Sequence, residues 1–438
     1  MMTHISFRNL LAWCGALLAL LLIGTYYVDA GQKTTAYPPS SDFYKFYLSG
    51  ERLTQNKSIY WIIPPRIQPG DPCHPDALKE APHRLAGISG DMILGGSLPC
   101  LAPNLNPPIF MALVAPISQL PFVTAWWVWA GFSTACALYS MWLIAGVWTT
   151  SRPQHTLHAL WASAALLAYY PSYVNFTLGQ VGTILMLPLV LAWLAMRKNH
   201  LLKAGMWLGV ATSLKPFLGL FLLILLITKQ WRTSTAFMAS ILTFALIGLL
   251  WMGWDIHQQY MLVAGHVTWT TSNWNGSLVG FFDRAFSGTA QSGLPETRIL
   301  SKALAIFSSL SLLLIMTRIL NKYLTSNCQR YADILFMLCI PASVLISPLG
   351  WLYYLPWLAL SGAVAWQFSA NLSNGRAMRL ALFASLLATI IPIEMKSIPT
   401  MKNPTTWYGI DALYAYVLLG FFVTTCLIAM AQQKNRIN

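Results

Sequence analysis

The first side chain that could do chemistry is a carboxylate, Asp42, in the segment Ser41-Asp42-Phe43. It follows shortly after the first long apolar run, so it is expected near a membrane surface. A carboxylate placed there can take a proton from the hydroxyl of an acceptor molecule. The same residues also fit an ordinary helix start, with Ser41 as the cap and Asp42 facing the positive end of the helix dipole.

A second candidate is a lysine between two short apolar runs. Lys215 separates runs 201–213 and 216–229, and both are shorter than the roughly 20 residues that a helix needs to cross the hydrocarbon core. The junction is therefore expected below the outer surface. An ammonium group there is costly unless water, a carboxylate or an anion such as a lipid-linked phosphate accompanies it. The alternative is a lysine that extends its stem to the interface.

The remaining candidates are polar side chains at predicted helix junctions or in the predicted outer loop 254–299. Gln180 could hydrogen-bond a sugar or a phosphate, although Gly-Gln is more often only a turn. Arg284 could make a bidentate contact to phosphate, although a loop arginine is usually solvated. Asn275-Gly-Ser277 is polar and also matches a glycosylation acceptor, which we interpret as chance. Tyr353 and Tyr354 add rings and hydroxyls, which aromatic belts also contain.

Cysteine usage indicates at most one disulfide. Cys73 and Cys100 share a predicted loop, and we predict that they pair if the loop faces an oxidising compartment. The cysteine spacing matches no zinc site. No phosphate-binding loop or nucleophile elbow is present either.

Composition indicates the class of protein that must position these residues. The chain has 438 residues, of which 56% are hydrophobic and only 9% are charged. Too few charges are available to cover the surface of a soluble domain, so the sequence predicts an all-α polytopic membrane protein. The formal net charge of +14 comes from residues scattered in short loops. That distribution indicates orientation in a membrane and argues against a nucleic-acid partner.

Twelve apolar segments are predicted to cross the membrane, which places both termini on one side. They are 9–29, 122–147, 157–171, 181–196, 201–213, 216–229, 234–253, 300–319, 331–346, 350–368, 378–395 and 409–431. The N-terminal side then carries fourteen cations and a single acid, Asp333, whereas the other twelve carboxylates lie opposite. Cytoplasmic loops are enriched in Lys and Arg. We therefore expect cytoplasmic termini and a site on the outer face.

Two outer loops are long enough to have structure of their own, within one integral domain covering 1–438. The loop 30–106 is predicted to open with an interfacial helix that starts at Asp42. The second loop is 254–299. The apolar stretch 107–119 is broken by Pro116 and is too short to cross, so we expect a re-entrant or surface-lying element.

As an ordered set, these motifs resemble glycosyltransferase family 87, the polyprenyl-phosphate-mannose-dependent mannosyltransferase-like proteins of the GT-C class. The residues that carry the resemblance run from Asp42 to Tyr354. They are Asp42-Phe-Tyr44, Asn106-Pro-Pro108, Gly179-Gln180, Leu214-Lys-Pro216, Asn275-Gly-Ser277 and Ser347-Pro-Leu-Gly-Trp351.

The resemblance implies a GT-C-type fold and inverting transfer of a sugar, mannose or a pentose, from a polyprenyl phosphate to a lipid-linked or periplasmic glycan. Asp42 matches the general base of such enzymes. Lys215, Gln180, Arg284 and Asn275 are then expected to contact the donor. With a monophosphate donor and no paired carboxylate, no metal or other cofactor is required. The resemblance also implies a bacterial inner membrane.

The sequence departs from the family at one place. Many relatives have a histidine pair where this chain has Tyr353 and Tyr354. Tyrosine hydroxyls can hydrogen-bond phosphate or sugar, but they cannot serve as a cation near neutral pH. Two other classes therefore stay open, a transporter or flippase of lipid-linked sugars and a noncatalytic homologue.

Overall fold

Helices make up most of the part of the chain that the computed structural model describes, residues 7–60, 104–265, 269–287, 295–393, 395 and 409–437. Within these ranges the only β-type pairing is an isolated bridge between Asn275 and Trp351. The α-helices are, in chain order, α1 Phe7–Ala36, α2 Asp42–Thr54, α3 Met111–Val114, α4 Phe122–Gly146, α5 Arg152–Ala168, α6 Tyr170–Leu178, α7 Gly182–Arg197, α8 Leu201–Leu214, α9 Leu220–Ile227, α10 Trp231–Gly265, α11 Leu278–Ser287, α12 Pro295–Asn321, α13 Cys328–Ile346, α14 Leu358–Ser369, α15 Gly375–Ala388 and α16 Leu413–Ile437.

Each of the twelve apolar segments coincides with a helix or with a short helical cluster. Among the described helices, however, only six are long and apolar enough to cross a membrane alone, and the bent pair α6 and α7 would make a seventh. The fold is therefore that of an all-α integral membrane protein. Twelve crossings and a GT-C-type fold stay predictions.

The helices divide into a buried centre and an apolar periphery. In α13 every residue from Tyr331 to Leu345 is buried. In contrast, α1, α10 and α12 expose large apolar side chains such as Leu250 and Phe307. Since lipid tails are as apolar as these side chains, such helices are suited to contact lipid.

The segment 107–119 forms only short helical pieces. Two 3-10 turns, Pro108–Phe110 and Ile117–Gln119, flank the four-residue helix α3. The segment packs against α2: the rings of Phe46 and Phe110 lie 5.0 Å apart. It does not form a spanning helix.

Helix α2 begins at Asp42, as predicted, but its aromatic residues pack on protein. The Phe43 ring stacks on Trp129 of α4, with centroids 5.4 Å apart, and Phe43, Phe46 and Leu48 are all buried. The predicted loops also contain more helix than expected, because α1 continues to Ala36 and α12 starts at Pro295.

Helix α10 extends beyond its predicted end and bends there. Gly253 has φ 80° and ψ 170°, a backbone conformation that interrupts the helix and that only glycine adopts readily. The remainder of α10, which was predicted to be loop, carries Tyr260 and Ala264 to the cleft described below.

Helix α8 is fixed by a close crossing with α10. A Cβ atom at Gly205 would lie 2.3 Å from the carbonyl oxygen of Thr233, and one at Gly209 would lie 2.3 Å from Cβ of Ser240. Small residues four positions apart let two membrane helices approach in this way. The crossing sets the position of the C-terminus of α8, which precedes Lys215.

An ion pair joins α7 and α13 at the ends of these helices remote from the cleft. Asp333, the single acid among the predicted cytoplasmic cations, is bonded to Arg197, and Nε1 of Trp193 donates a hydrogen bond of 2.7 Å to its Oδ1. Breaking a buried pair leaves an uncompensated charge, so this contact holds the two central helices in register.

Candidate active site

A cavity of about 650 Å³ lies where α2, α7, α8 and α13 begin or end. Ligand sites in proteins typically have volumes of about 300–1,000 Å³, so it can hold a sugar phosphate. Of the predicted site residues, Asp42, Gln180, Lys215, Tyr353 and Tyr354 line it. These residues come from separate stretches of the chain, and the fold brings them to one place.

Asp42 occupies the first position of α2 and is held by two partners. Nζ of Lys45 lies 2.7 Å from Oδ1, and Nε2 of Gln180 donates a hydrogen bond to Oδ2. The hydroxyl of Ser41 does not cap the helix, since it donates to the carbonyl of Pro38 at 3.0 Å. These two partners fix the Asp42 carboxylate at the wall of the cavity. The carboxylate also lies at the positive end of the helix dipole, where a negative charge is stabilised.

Gln180 reaches Asp42 because the chain turns sharply between α6 and α7, whose axes differ by 117°. Gly179 makes this turn with φ +62°, and a Cβ atom there would lie 2.5 Å from Cβ of Phe43. Nε1 of Trp129 donates to the Gly179 carbonyl at 2.8 Å. Only glycine fits both the left-handed backbone and the close approach to α2.

Lys215 lies at a helix break that its neighbour enforces. A residue before proline is disfavoured in the helical region, and Lys215 has extended angles (φ −141°, ψ 97°) before Pro216. Its ammonium lies 5.7 Å from the centroid of the Tyr354 ring. Burial lowers the pKa of Lys215 to about 7, and Lys45 acts in the same direction whereas Asp42 opposes it. Lys215 therefore changes charge near neutral pH.

The two tyrosines form an aromatic wall beside Lys215, on the 3-10 helix Leu352–Trp357. The Tyr354 ring lies 5.0 Å from Phe217 and 4.8 Å from Trp357. Both tyrosines are buried, and a tyrosine hydroxyl ordinarily has a pKa of about 10. The wall therefore presents neutral hydroxyls and ring faces, not the cations that a histidine pair can supply.

Asn275 does not reach the cavity. Its side chain joins two loops: Nδ2 donates to the carbonyls of Thr270 and Pro348, and Oδ1 accepts from the backbone of Ser277 and Gly350. Asn275 is fully buried, so it is accessible neither to the donor nor to a glycosylating enzyme. Its effect on the site is indirect, because Pro348 is in the cavity wall.

Arg284 is likewise outside the cavity, contrary to its predicted contact with donor phosphate. Nη1 donates to the carbonyls of Ser272 and Asn275, at 2.6 and 2.8 Å, and the side chain is 1% exposed. Backbone carbonyls that converge only in the folded loop thus bind Nη1, whereas Nε and Nη2 are buried without a hydrogen-bond partner among the described residues. Cys73 and Cys100 lie outside the described residues.

Two features of the cavity were missing from the sequence interpretation. The first is Lys45, for which the only signal was its position three residues after Asp42. The second is the side-chain oxygen of Asn106, which, like that of the predicted site residue Gln180, is buried and has no hydrogen-bond partner among the described residues. Both side chains line the cavity. A buried oxygen without a partner costs about 1–3 kcal/mol, so each is a place to look for a ligand hydroxyl or a water.

The three charged residues among the described lining of the cavity are Asp42, Lys45 and Lys215. The carboxylate of this set can accept a proton, and the ammonium groups of the lysines can hold an anion. Across the described ranges no three His, Cys, Asp or Glu side chains are grouped as metal ligands. The expectation that no metal is required stays a prediction.

Comparison with known families gives one match. The family model for glycosyltransferase family 87 matches residues 104–348, which is more than half of the chain. Comparison with curated proteins and with solved structures returns no match. The matched region contains Gln180 and Lys215, whereas Asp42, Lys45 and the tyrosine pair lie outside it.

Proposed function

The chain belongs to glycosyltransferase family 87, and from this membership and the geometry of the cleft we propose that it transfers one sugar, with inversion, from a polyprenyl phosphate to a glycolipid or glycan acceptor. The observation that carries the proposal is the convergence of Asp42 and Lys215 on one cavity. Membership in the family makes the protein a membrane glycosyltransferase. The donor, the acceptor and the residue roles are our proposal.

Asp42 is the general base in this proposal. Inversion by a single displacement requires a group that removes the acceptor proton while the sugar carbon is attacked. Lys45 and Gln180 fix the carboxylate from two sides, which keeps its remaining lone pairs directed at an incoming hydroxyl. Asp42 is also the only carboxylate among the described residues that line the cavity.

Lys215 binds the donor phosphate. A phosphate leaves slowly unless its developing charge is stabilised, and a cation fixed in a site of low dielectric constant does this effectively. The cost of burying the Lys215 ammonium falls when an anion binds beside it. Tyr353 and Tyr354 can add hydrogen bonds from neutral hydroxyls, in place of the histidines of relatives.

The oxygens of Gln180 and Asn106 support a sugar as the ligand. The Gln180 amide nitrogen must face Asp42, because a carboxylate only accepts hydrogen bonds. In Asn106 the nitrogen faces Oδ1 of Asn104, at 2.9 Å, and that oxygen also accepts from the Asn106 backbone. In both side chains the oxygen is thus left to accept from a donor. Sugar hydroxyls donate, whereas an ionised phosphate cannot.

Charge at the helix ends supports an outer-facing site in a bacterial plasma membrane. Helices α7 and α13 have one end at the cleft, and their other ends carry Arg197 and Arg330. Cytoplasmic loops are enriched in such residues. We therefore place the cleft on the periplasmic side and both termini in the cytoplasm, and the isoprenoid tail among the lipid-facing helices.

Transfer in detergent tests this function. The purified full-length protein is incubated with radiolabelled polyprenyl phosphates carrying mannose or a pentose, together with a glycolipid and glycan extract. We expect the label to move to an acceptor, and the anomeric configuration of the transferred sugar to be opposite to that in the donor. Transport cannot contribute to this signal, because in detergent no membrane separates two compartments. Absence of transfer from every donor, with movement of lipid-linked sugar across proteoliposomes, would establish a flippase instead.

A further inference from the structure

The cavity contains two cations for one carboxylate, and one of the cations already has a partner. Nζ of Lys45 lies 2.7 Å from Oδ1 of Asp42, and the two side chains are 13% and 27% exposed. Lys215 lines the same cavity. The two ammonium groups are close enough for Lys45 to affect the ionisation of Lys215. Two like charges in a partly buried site favour a ligand with more than one negative charge.

The proposed reaction produces such a ligand. The donor is a phosphodiester with one negative charge. During transfer the acceptor oxygen bonds to the anomeric carbon, and the bond from that carbon to the phosphate oxygen breaks. The electron pair of that bond stays on the phosphate, and the acceptor proton goes to Asp42. The product is a phosphate monoester with two negative charges, and Asp42 becomes neutral.

We propose that Lys45 is a catalytic cation that pairs with Asp42 before transfer and with the leaving phosphate as Asp42 becomes protonated. This inference rests on the proposed function. The charges of the cleft then balance at both stages. Before transfer, two lysines face one carboxylate and one phosphodiester anion. After transfer, two lysines face one dianion.

Physical chemistry favours this exchange over a fixed pair. An uncompensated charge in a partly buried site is costly. Protonation of Asp42 would leave Lys45 without a counter-ion at the moment when the phosphate gains charge. The lysine stem is flexible. The Phe46 ring, 5.5 Å from the ammonium, offers a surface that a cation can cross at low cost. The alternative is a lysine that only orients Asp42.

Binding of the lipid product separates the two roles. The affinity of the purified protein for polyprenyl monophosphate and for polyprenyl-phosphate mannose is measured in detergent from quenching of tryptophan fluorescence, since Trp274 and Trp351 line the cavity. At about pH 7 the monoester is mostly a dianion, because its second pKa is about 6. We expect Lys45→Met to weaken binding of the monophosphate about tenfold and that of the donor much less.

Two comparisons sharpen the test. Lys45→Arg should retain the affinity for the monophosphate, and the defect of Lys45→Met should shrink at about pH 5, where the monoester carries one charge. Asp42→Asn should strengthen monophosphate binding by releasing Lys45, and the double variant should lose that gain. The control is Lys33→Met, which breaks the exposed Lys33–Asp29 pair of 2.6 Å and should change neither affinity.

The outcomes are distinct. Unchanged monophosphate affinity in Lys45→Met, together with slower transfer, would overturn this inference and leave the proposed function in place, because Lys45 would then act only through Asp42. The same conclusion follows if Asp42→Asn gains affinity equally with and without Lys45. A wild-type protein that binds neither lipid would overturn both.

Discussion

Nε2 of Gln180 donates a hydrogen bond to Oδ2 of Asp42, although 138 positions separate the two residues in the chain. The bond joins the start of α2 to the turn between α6 and α7. It also fixes the orientation of the Gln180 amide, whose oxygen is left without a partner among the described residues. One contact thus positions both the proposed base, Asp42, and a residue proposed to bind the sugar, Gln180.

Replacement of Asp42 by Asn tests the base. The amide is nearly isosteric but cannot take a proton, so we expect transfer to fall by about 10²–10⁴-fold while the donor still binds. The measurement is turnover of radiolabelled donor, with binding assayed on the same sample. The matched control is Asp29→Asn, which removes an exposed carboxylate that is also paired with a lysine. Near wild-type turnover by Asp42→Asn would remove Asp42 from the mechanism.

Donor affinity should depend on pH through Lys215. Its pKa in the empty site is about 7, so the ammonium is present below that pH and is lost as the pH rises through it. If only the charged form holds the phosphate, donor affinity falls by up to about tenfold per unit above the pKa.

Two variants of Lys215 check the origin of this dependence. Lys215→Arg stays charged over the whole range and should bind the donor with little dependence on pH. Lys215→Met should bind weakly at every pH. Equal donor affinity in wild type and Lys215→Met would show that the lysine merely extends toward solvent.

Removal of single sugar hydroxyls should identify the ligands of Gln180 and Asn106. A site built to hydrogen-bond a hydroxyl discriminates strongly against an analogue that lacks it. For the wild type, we expect kcat/KM to be much lower with at least one deoxy donor than with the complete donor. For Asn106→Leu this difference should be small, because the leucine side chain has no polar atom that the missing hydroxyl would leave unpaired. If all deoxy donors lose equally with both proteins, Asn106 has no sugar ligand.

Replacement of Gly179 by Ala should disable the site without touching a reactive group. The left-handed backbone costs about 1–2 kcal/mol with a Cβ atom, and the 2.5 Å approach to Phe43 must be relieved by a shift of α2. We expect a lower thermal midpoint and lower turnover. Gly131→Ala is the control, because a Cβ atom there meets nothing within 4 Å. An unaffected Gly179→Ala variant would mean that α2 moves freely.

Replacement of Arg284 by Met should reduce stability and leave donor affinity intact. The variant loses two hydrogen bonds from a charged donor to backbone carbonyls, each worth about 1.5–3 kcal/mol. Thermal unfolding in detergent and donor binding measure the two effects separately. A stable protein that has lost donor affinity would restore Arg284 as a donor ligand.

Much of the site is predictable from the sequence because it depends on local rules. Lys215 precedes Pro216 and must end a helix, and Asp42 opens one, so the sequence pattern alone places both residues at helix termini. The apolar segments likewise mark the positions of the helices. The number of crossings does not follow from them, because several helices are too short to cross alone and the bend of 117° cannot be read from Gly179.

Other residues could not be assigned from the sequence because their roles depend on distant partners. Lys45 has the three-residue spacing to Asp42 that exposed helix pairs also have, and only burial in the cavity distinguishes it. Arg284 was predicted to contact phosphate because the sequence does not show that the carbonyls of Ser272 and Asn275 converge on its Nη1 in the folded loop. Asn275 is likewise buried against the distant segment around Pro348, which its own sequence neighbours do not indicate.

The charged side chains that line the described part of the cleft all come from places where a helix starts or stops. The breaks at Gly179, at Lys215 and after α13 supply much of the remaining wall. We therefore expect substrate preference and anchoring in the bilayer to depend largely on separate stretches of the chain. Chimeras that exchange only these junctions between homologues are expected to carry donor preference with them while the transmembrane scaffold is unchanged.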